Sequence, residues 1–247
     1  MEIANFLNDG KVVIFLLLFV RFSAIFAFIP IFSHNAINAE YKAAMAFLMS
    51  IIFYPLLPPI SIELTWANIM IAILLEGMFG FITGLFLSIV FDILRFAGEL
   101  IAFVMGFTMA SVMDPQTQSQ TPITSQILTL IALLFLFAID GHHIILLFIH
   151  ESLNQISLGM FHINGDIIDY CMKMMKEYFI VGFSIAFPIL ALSLLSDILF
   201  GMLMKTMPQF NLLVIGFPIK IVLAFMILIV VMSAYMIIFK RVFMEYI

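Results

Sequence analysis

Residues 66–91 read WANIMIAILLEGMFGFITGLFLSIVF. One carboxylate, Glu76, and the glycines Gly77, Gly80 and Gly84 interrupt a run that is otherwise almost wholly apolar. A helix rises about 1.5 Å per residue and the hydrocarbon core of a bilayer is about 30 Å thick, so about 20 such residues suffice to cross it. This stretch therefore specifies an all-α membrane protein, and its neighbours repeat the pattern. Upstream, residues 12–32 form an apolar run holding Arg21 and ending near Pro30, and a polar stretch, 33–42, follows. Residues 43–57 are apolar again, stopped by Pro55, Pro58 and Pro59, which lack the helical donor. Downstream lie a more amphipathic piece, 92–113, and then the longest polar loop, Asp114 through Pro122. A fourth run, 123–149, is cut by Asp140-Gly141-His142-His143. Residues 151–177 are the most polar, with a short amphipathic helix expected at 167–176. Two last runs, 178–204 and 212–239, flank a tight turn at 205–211. The count is about six apolar helices, several broken by Pro or Gly, so helical hairpins are expected as well as straight crossings.

Composition excludes several classes. Of 247 residues, 65% are hydrophobic and 10% charged, where a soluble domain carries about a quarter charged residues. A net charge of −5 without basic clusters argues against nucleic acid as a partner. A single cysteine, Cys171, excludes an intrachain disulfide or a thiolate zinc cluster. The first run carries Arg21 in its middle and no small-residue cleavage site, so it is expected to be retained. Lys240 and Arg241 favour a cytoplasmic C-terminus.

Arg21, Glu76, Asp140, Asp197, Lys205 and Lys220 sit in or beside apolar runs. A charge in hydrocarbon costs at least about 2.5–3.5 kcal/mol, so each must face protein, water or an interface. Either they mark an ion or proton pathway, or they pair between helices and with partner subunits. Asp92, Arg95 and Glu99, spaced i, i+3 and i+7, illustrate local pairing on one helix face.

Enzyme signatures are missing. His150-Glu151-Ser152-Leu153-Asn154 begins like a zinc-protease motif but ends in Asn. His142 and His143 are adjacent, which on a helix sets them about 100° apart and argues against a shared metal. His143 and His150 share a face, a weak metal signal. There is no nucleophile elbow and no phosphate-binding loop, so no catalytic, cofactor or metal residue is assigned.

Met105, Met109 and Met113 recur every four residues, one ridge if helical. With 19 methionines in the chain, core packing is the ordinary reading. The setting suggests more: the ridge leads into a loop bearing Asp114, Pro115, Gln116, Gln118, Gln120 and Pro122, too polar for lipid. A soft, uncharged constriction of this kind can seal around chains of any sequence.

Taken in order, Arg21 with Pro30, Gly77, Gly80 and Gly84, Gly106-Phe107-Thr108-Met109-Ala110 with Asp114-Pro115, Gly141-His142-His143, Asp197-Ile198-Leu199-Phe200-Gly201, Met207-Pro208-Gln209-Phe210-Asn211 and Gly216-Phe217-Pro218-Ile219-Lys220 form a pattern. It resembles the FliR family, the R-type subunits of the flagellar type III protein export gate, over nearly the whole chain. The resemblance implies a non-catalytic subunit of the bacterial inner membrane and flagellar basal body. It implies assembly with P-type and Q-type subunits, contact with the B-type export component and membrane lipid, and passage of unfolded flagellar proteins. It also implies a P-like part, residues 1–177, with a pore loop near 106–122, followed by a Q-like hairpin, 178–247. The plug would comprise Met105, Gly106, Met109, Met113, Asp114, Pro115, Gln116, Gln118, Gln120 and Pro122. Assembly would rest on Arg21, Asp197, Lys205, Pro208, Gln209, Asn211, Gly216, Pro218 and Lys220. Lys205 stands where the family commonly has Arg, which weakens a bidentate contact. The T-type component of virulence secretion systems is the nearest alternative, and a small secondary transporter with a site at broken helices is a more distant one.

Overall fold

A computed structural model describes residues 10–29, 38–57, 65–106, 122–162, 165–207 and 211–246. Among them are α-helices and no strands. The helices are α1 (Lys11–Phe28), α2 (Ala39–Phe53), α3 (Trp66–Met105), α4 (Ile123–Ala138), α5 (Gly141–Gln155), α6 (Gly165–Thr206) and α7 (Phe217–Tyr246). A 3-10 turn, Tyr54–Leu56, follows α2, and a π-turn, Leu212–Gly216, precedes α7.

The helix ends follow from local chemistry. The helix α1 stops one residue short of Ile29, itself followed by Pro30, because a proline pushes the residue before it out of the helical region. Pro55 ends α2 in a 3-10 turn. The apolar run 123–149 breaks at Ile139–Asp140, where Asp140 takes the left-handed conformation at φ 55°. An Asp tolerates that region better than most residues with a side chain.

Two expectations are corrected. Residues 92–105 are not a separate amphipathic piece, since they continue α3 without interruption for 40 residues in all. Residues 167–176 are likewise not a short helix of their own, since they belong to α6, 42 residues long. The reason is that no proline or glycine stands between Asp166 and Val181, and polar side chains on a good helix former do not end it. Four described helices are long and apolar enough to cross a membrane, or five if the broken pair α4 and α5 is one span. The helix α2, at 15 residues, is too short.

The described residues fall into two compact units, Met1–Ile89 with Asp140–Met172, and Val90–Ile139 with Lys173–Tyr246. In the first unit Leu17, Leu18, Phe22 and Ile25 of α1 are fully buried. Gly80 and Gly84 let α3 approach α1 backbone to backbone. A Cβ at Gly80 would lie 2.6 Å from Ala24 Cβ and 2.7 Å from the Arg21 carbonyl oxygen, and one at Gly84 would lie 2.8 Å from Phe28 Cβ. Small residues four apart are how membrane helices come this close.

In the second unit Gly98 plays the same part against Ser125 of α4. There Thr124 Oγ1 donates to the Gly98 carbonyl at 2.8 Å and Ser125 Oγ to the Arg95 carbonyl at 3.0 Å. Phe91, Phe135, Phe239 and Phe243 form an aromatic cluster joining α3, α4 and α7.

Candidate functional site

Arg21 lies at the middle of α1 on its packed face, with no solvent exposure, and Glu76 of α3 is equally enclosed. The guanidinium meets the carboxylate edge to edge: Nε donates to Oε2, and Nη2 to Oε1 at 2.9 Å. Nη2 also donates to the Ile156 carbonyl at 3.2 Å, and Nη1 reaches the Ser152 carbonyl at 3.5 Å. Glu76 Oε1 accepts a further bond from the Gly159 backbone N–H at 2.6 Å. The guanidinium also lies over the Phe79 ring, 4.5 Å from its centre. This one pair thus ties α1, α3, the end of α5 and the loop after it. A buried ion pair gains little net stability over apolar packing, because desolvation offsets the attraction. What it supplies is register, since α1 and α3 can meet in one alignment without orphaning a charge.

The second unit holds a different pair. Lys220 Nζ of α7 donates to both oxygens of Asp197 on α6 at 2.8 Å each. It is lopsided: the Lys220 side chain is 8% exposed and the Asp197 side chain 53%. Nearby, Ser193 Oγ of α6 donates to the Val104 carbonyl at 3.1 Å. Gly106, at φ 83°, faces Phe217, whose ring would sit 2.7 Å from a Cβ placed there. Pro218 follows at the second position of α7.

The family model for bacterial export proteins, family 1, matches residues 12–246. The chain belongs to this family, the FliR family. It is 34% identical over 233 residues to the flagellar biosynthetic protein FliR of Bacillus subtilis (strain 168), covering 93% of this chain and 90% of that one. The FliR of Pectobacterium carotovorum is 28% identical, covering 84% and 80%. The FliR of Escherichia coli (strain K12) is 24% identical, covering 82% and 77%. This FliR-family chain is thus a membrane component of flagellar protein export.

The pattern residues of the family fall unevenly on the structure. Arg21, Asp197 and Lys220 are in ion pairs, as above. Lys205 is exposed in the last turn of α6, where the helix dipole favours a cation. Asn211 Oδ1 accepts from the Val214 N–H at 3.3 Å, at the start of the next turn. Gly216 is buried at the end of the π-turn. Met105 is fully buried at the last residue of α3, and the left-handed Gly106 follows it. Pro122 caps the start of α4. Met109, Met113, Asp114, Pro115, Gln116, Gln118, Gln120, Pro208 and Gln209 lie outside the described residues.

Sequence reasoning flagged Glu76 as a charge in an apolar run but did not place it in the site, and it missed Ser152 and Gly159. Glu76 is the lone carboxylate of the run 66–91, and a buried arginine on another apolar run needs such a partner. Ser152 and Gly159 act through backbone atoms, for which side-chain chemistry gives no signal. The helical argument separating His142 from His143 is also corrected: their ring centres lie 4.1 Å apart, because rotation about the side-chain bonds offsets the 100° step.

Proposed function

We propose that this chain is the R-type subunit of the flagellar export gate in the inner membrane and basal body. In this reading it assembles with P-type and Q-type subunits, contacts the B-type export component, and lines the path for unfolded flagellar proteins. Residues 1–177 act as the P-like part and 178–247 as the Q-like hairpin. The loop from Gly106 to Pro122, rich in glutamine and carrying Asp114 as its one charge, restricts the path.

One observation carries the proposal: the outward face of α6 and α7. Leu194, Leu195, Ile198 and Met202 of α6, and Met226, Ile229, Val230 and Ile237 of α7, are all more than half exposed. A hairpin locked internally by Asp197–Lys220 and apolar outside is built to stack against similar hairpins. The test is purification in mild detergent from membranes that hold the P-type and Q-type subunits. They should come with this chain in one complex, and the chain expressed alone should aggregate or be degraded. A stable, well-behaved monomer that leaves those subunits behind would overturn the reading.

A further inference from the structure

At the start of α5, Asp140, His142 and His143 each offer one donor atom, and the three atoms lie within 4.8 Å of one another. The imidazole rings stand side by side, 4.1 Å between centres and tilted by 37°. His143 Nδ1 is 3.7 Å from Asp140 Oδ1, so carboxylate and imidazole already face each other. We propose that these three residues form a binding site for a divalent metal ion of the zinc class.

The geometry needs only a small contraction. With metal–donor bonds of about 2.0–2.2 Å, tetrahedral donors are separated by about 3.4 Å. The side chains of Asp140 and His143 are 77% and 66% exposed, so both are open to an incoming ion and can swing inward by side-chain rotation. His142, half-buried, is the fixed member. Asp140 can turn its carboxylate back over the first turn of α5 because it occupies the left-handed region, unique among the described non-glycine residues.

The donor set decides the ion. Two imidazoles and one carboxylate suit Zn²⁺ and its borderline neighbours, whereas Mg²⁺ and Ca²⁺ require mainly oxygen. Three protein ligands leave a fourth position for water. Neutral imidazoles and one carboxylate carry a single negative charge, so the bound ion turns the site net positive. Binding would also staple the residue that breaks the helix to the first turn of α5.

The full chain, purified in detergent with any accompanying subunits and without a polyhistidine tag, is stripped with chelator. It is then titrated with Co²⁺, followed by visible d–d absorption. One Co²⁺ per copy of this chain should bind saturably and be displaced by Zn²⁺. His143→Ala and Asp140→Asn should each weaken binding by at least about tenfold, a loss of the size seen even for outer-shell changes. Both positions are exposed, so helical content by circular dichroism should not change, and His162→Ala should leave the titration as it was. Absence of saturable binding would overturn the proposal. So would an unchanged titration in the triple variant D140A/H142A/H143A, or a site that disappears with His150→Ala instead.

Discussion

Replacing Arg21 by Ala should destabilise the chain by about 3–5 kcal/mol, the range for breaking a buried pair from one side. The change removes both charge-assisted bonds to Glu76 and leaves that enclosed carboxylate with the Gly159 N–H. Since a folded domain has about 5–15 kcal/mol in hand, this is a large share of the total. At about 1.4 kcal/mol per tenfold, the unfolded fraction should rise by about two to three and a half powers of ten. Glu76→Gln should be about as costly, because it orphans the guanidinium while keeping an acceptor for Gly159. Arg21→Lys should fall between, at about 1–3 kcal/mol: the charge survives, but the fork that grips both oxygens and the Ile156 carbonyl does not. The double change Arg21→Met with Glu76→Leu is the decisive one. It removes both charges together, and apolar replacement of a whole pair is often neutral or better. What remains is the Gly159 N–H left without an acceptor and the part-buried Ile156 carbonyl left without its Arg21 donor, about 1–3 kcal/mol for the first and less for the second. The double variant should therefore melt above either Arg21→Ala or Glu76→Gln in detergent, read as the soluble, monodisperse fraction after heating. If the single effects of Arg21→Met and Glu76→Leu simply add in the double variant, the residues are not coupled and the pair does not set the register of α1 on α3.

Gly80→Leu should wedge α1 from α3, since even a Cβ meets Ala24 and the Arg21 carbonyl below 3 Å, and should cost more than about 3 kcal/mol where Gly77→Ala, with 3.8 Å of room, is mild; melting of the two variants checks the contrast. Asp197→Ala should be worse than Lys220→Ala: the first strands a buried ammonium at about 1–3 kcal/mol, whereas the second leaves a half-exposed carboxylate that water can serve, at less than about 1 kcal/mol. Equal melting losses would show that burial of the lysine does not decide the pair. Deleting residues 111–121 should let ions or small solutes leak through an assembled gate, read as conductance in a planar bilayer. A deletion complex as tight as the parent would remove the plug role.

Much of the fold was legible because apolar runs in this chain are long and their interruptions chemical. The break at Asp140 and the stop at Pro55 could be read directly, since both act through the local backbone. The joins were harder. Asp92, Arg95 and Glu99 looked like the start of a separate amphipathic piece. In the structure they form ion pairs along the surface of a continuing helix, Arg95 Nε lying 3.4 Å from Asp92 and 3.7 Å from Glu99. The lone charges were visible, but which of them pair was not. Arg21 and Glu76 are 55 residues apart, and only the close approach allowed by Gly80 brings them together. Glycine spacing was visible in the sequence, but which helix it would admit was not.

The length of α3 has a consequence for how the cell must make this protein. Forty residues of helix extend about 60 Å, twice the hydrocarbon thickness, and even a tilt of about 40° absorbs only part of the excess. Yet the helix is apolar at both extremes, with Trp66 71% and Phe103 68% exposed. No bilayer can wet both ends at once. A copy made without neighbours therefore leaves an oily end in water, where chaperones and proteases find it. With the proposed assembly, production in step with the partner subunits, rather than raw yield, would set how many copies survive, and excess gene dosage should raise degradation products before it raises intact protein.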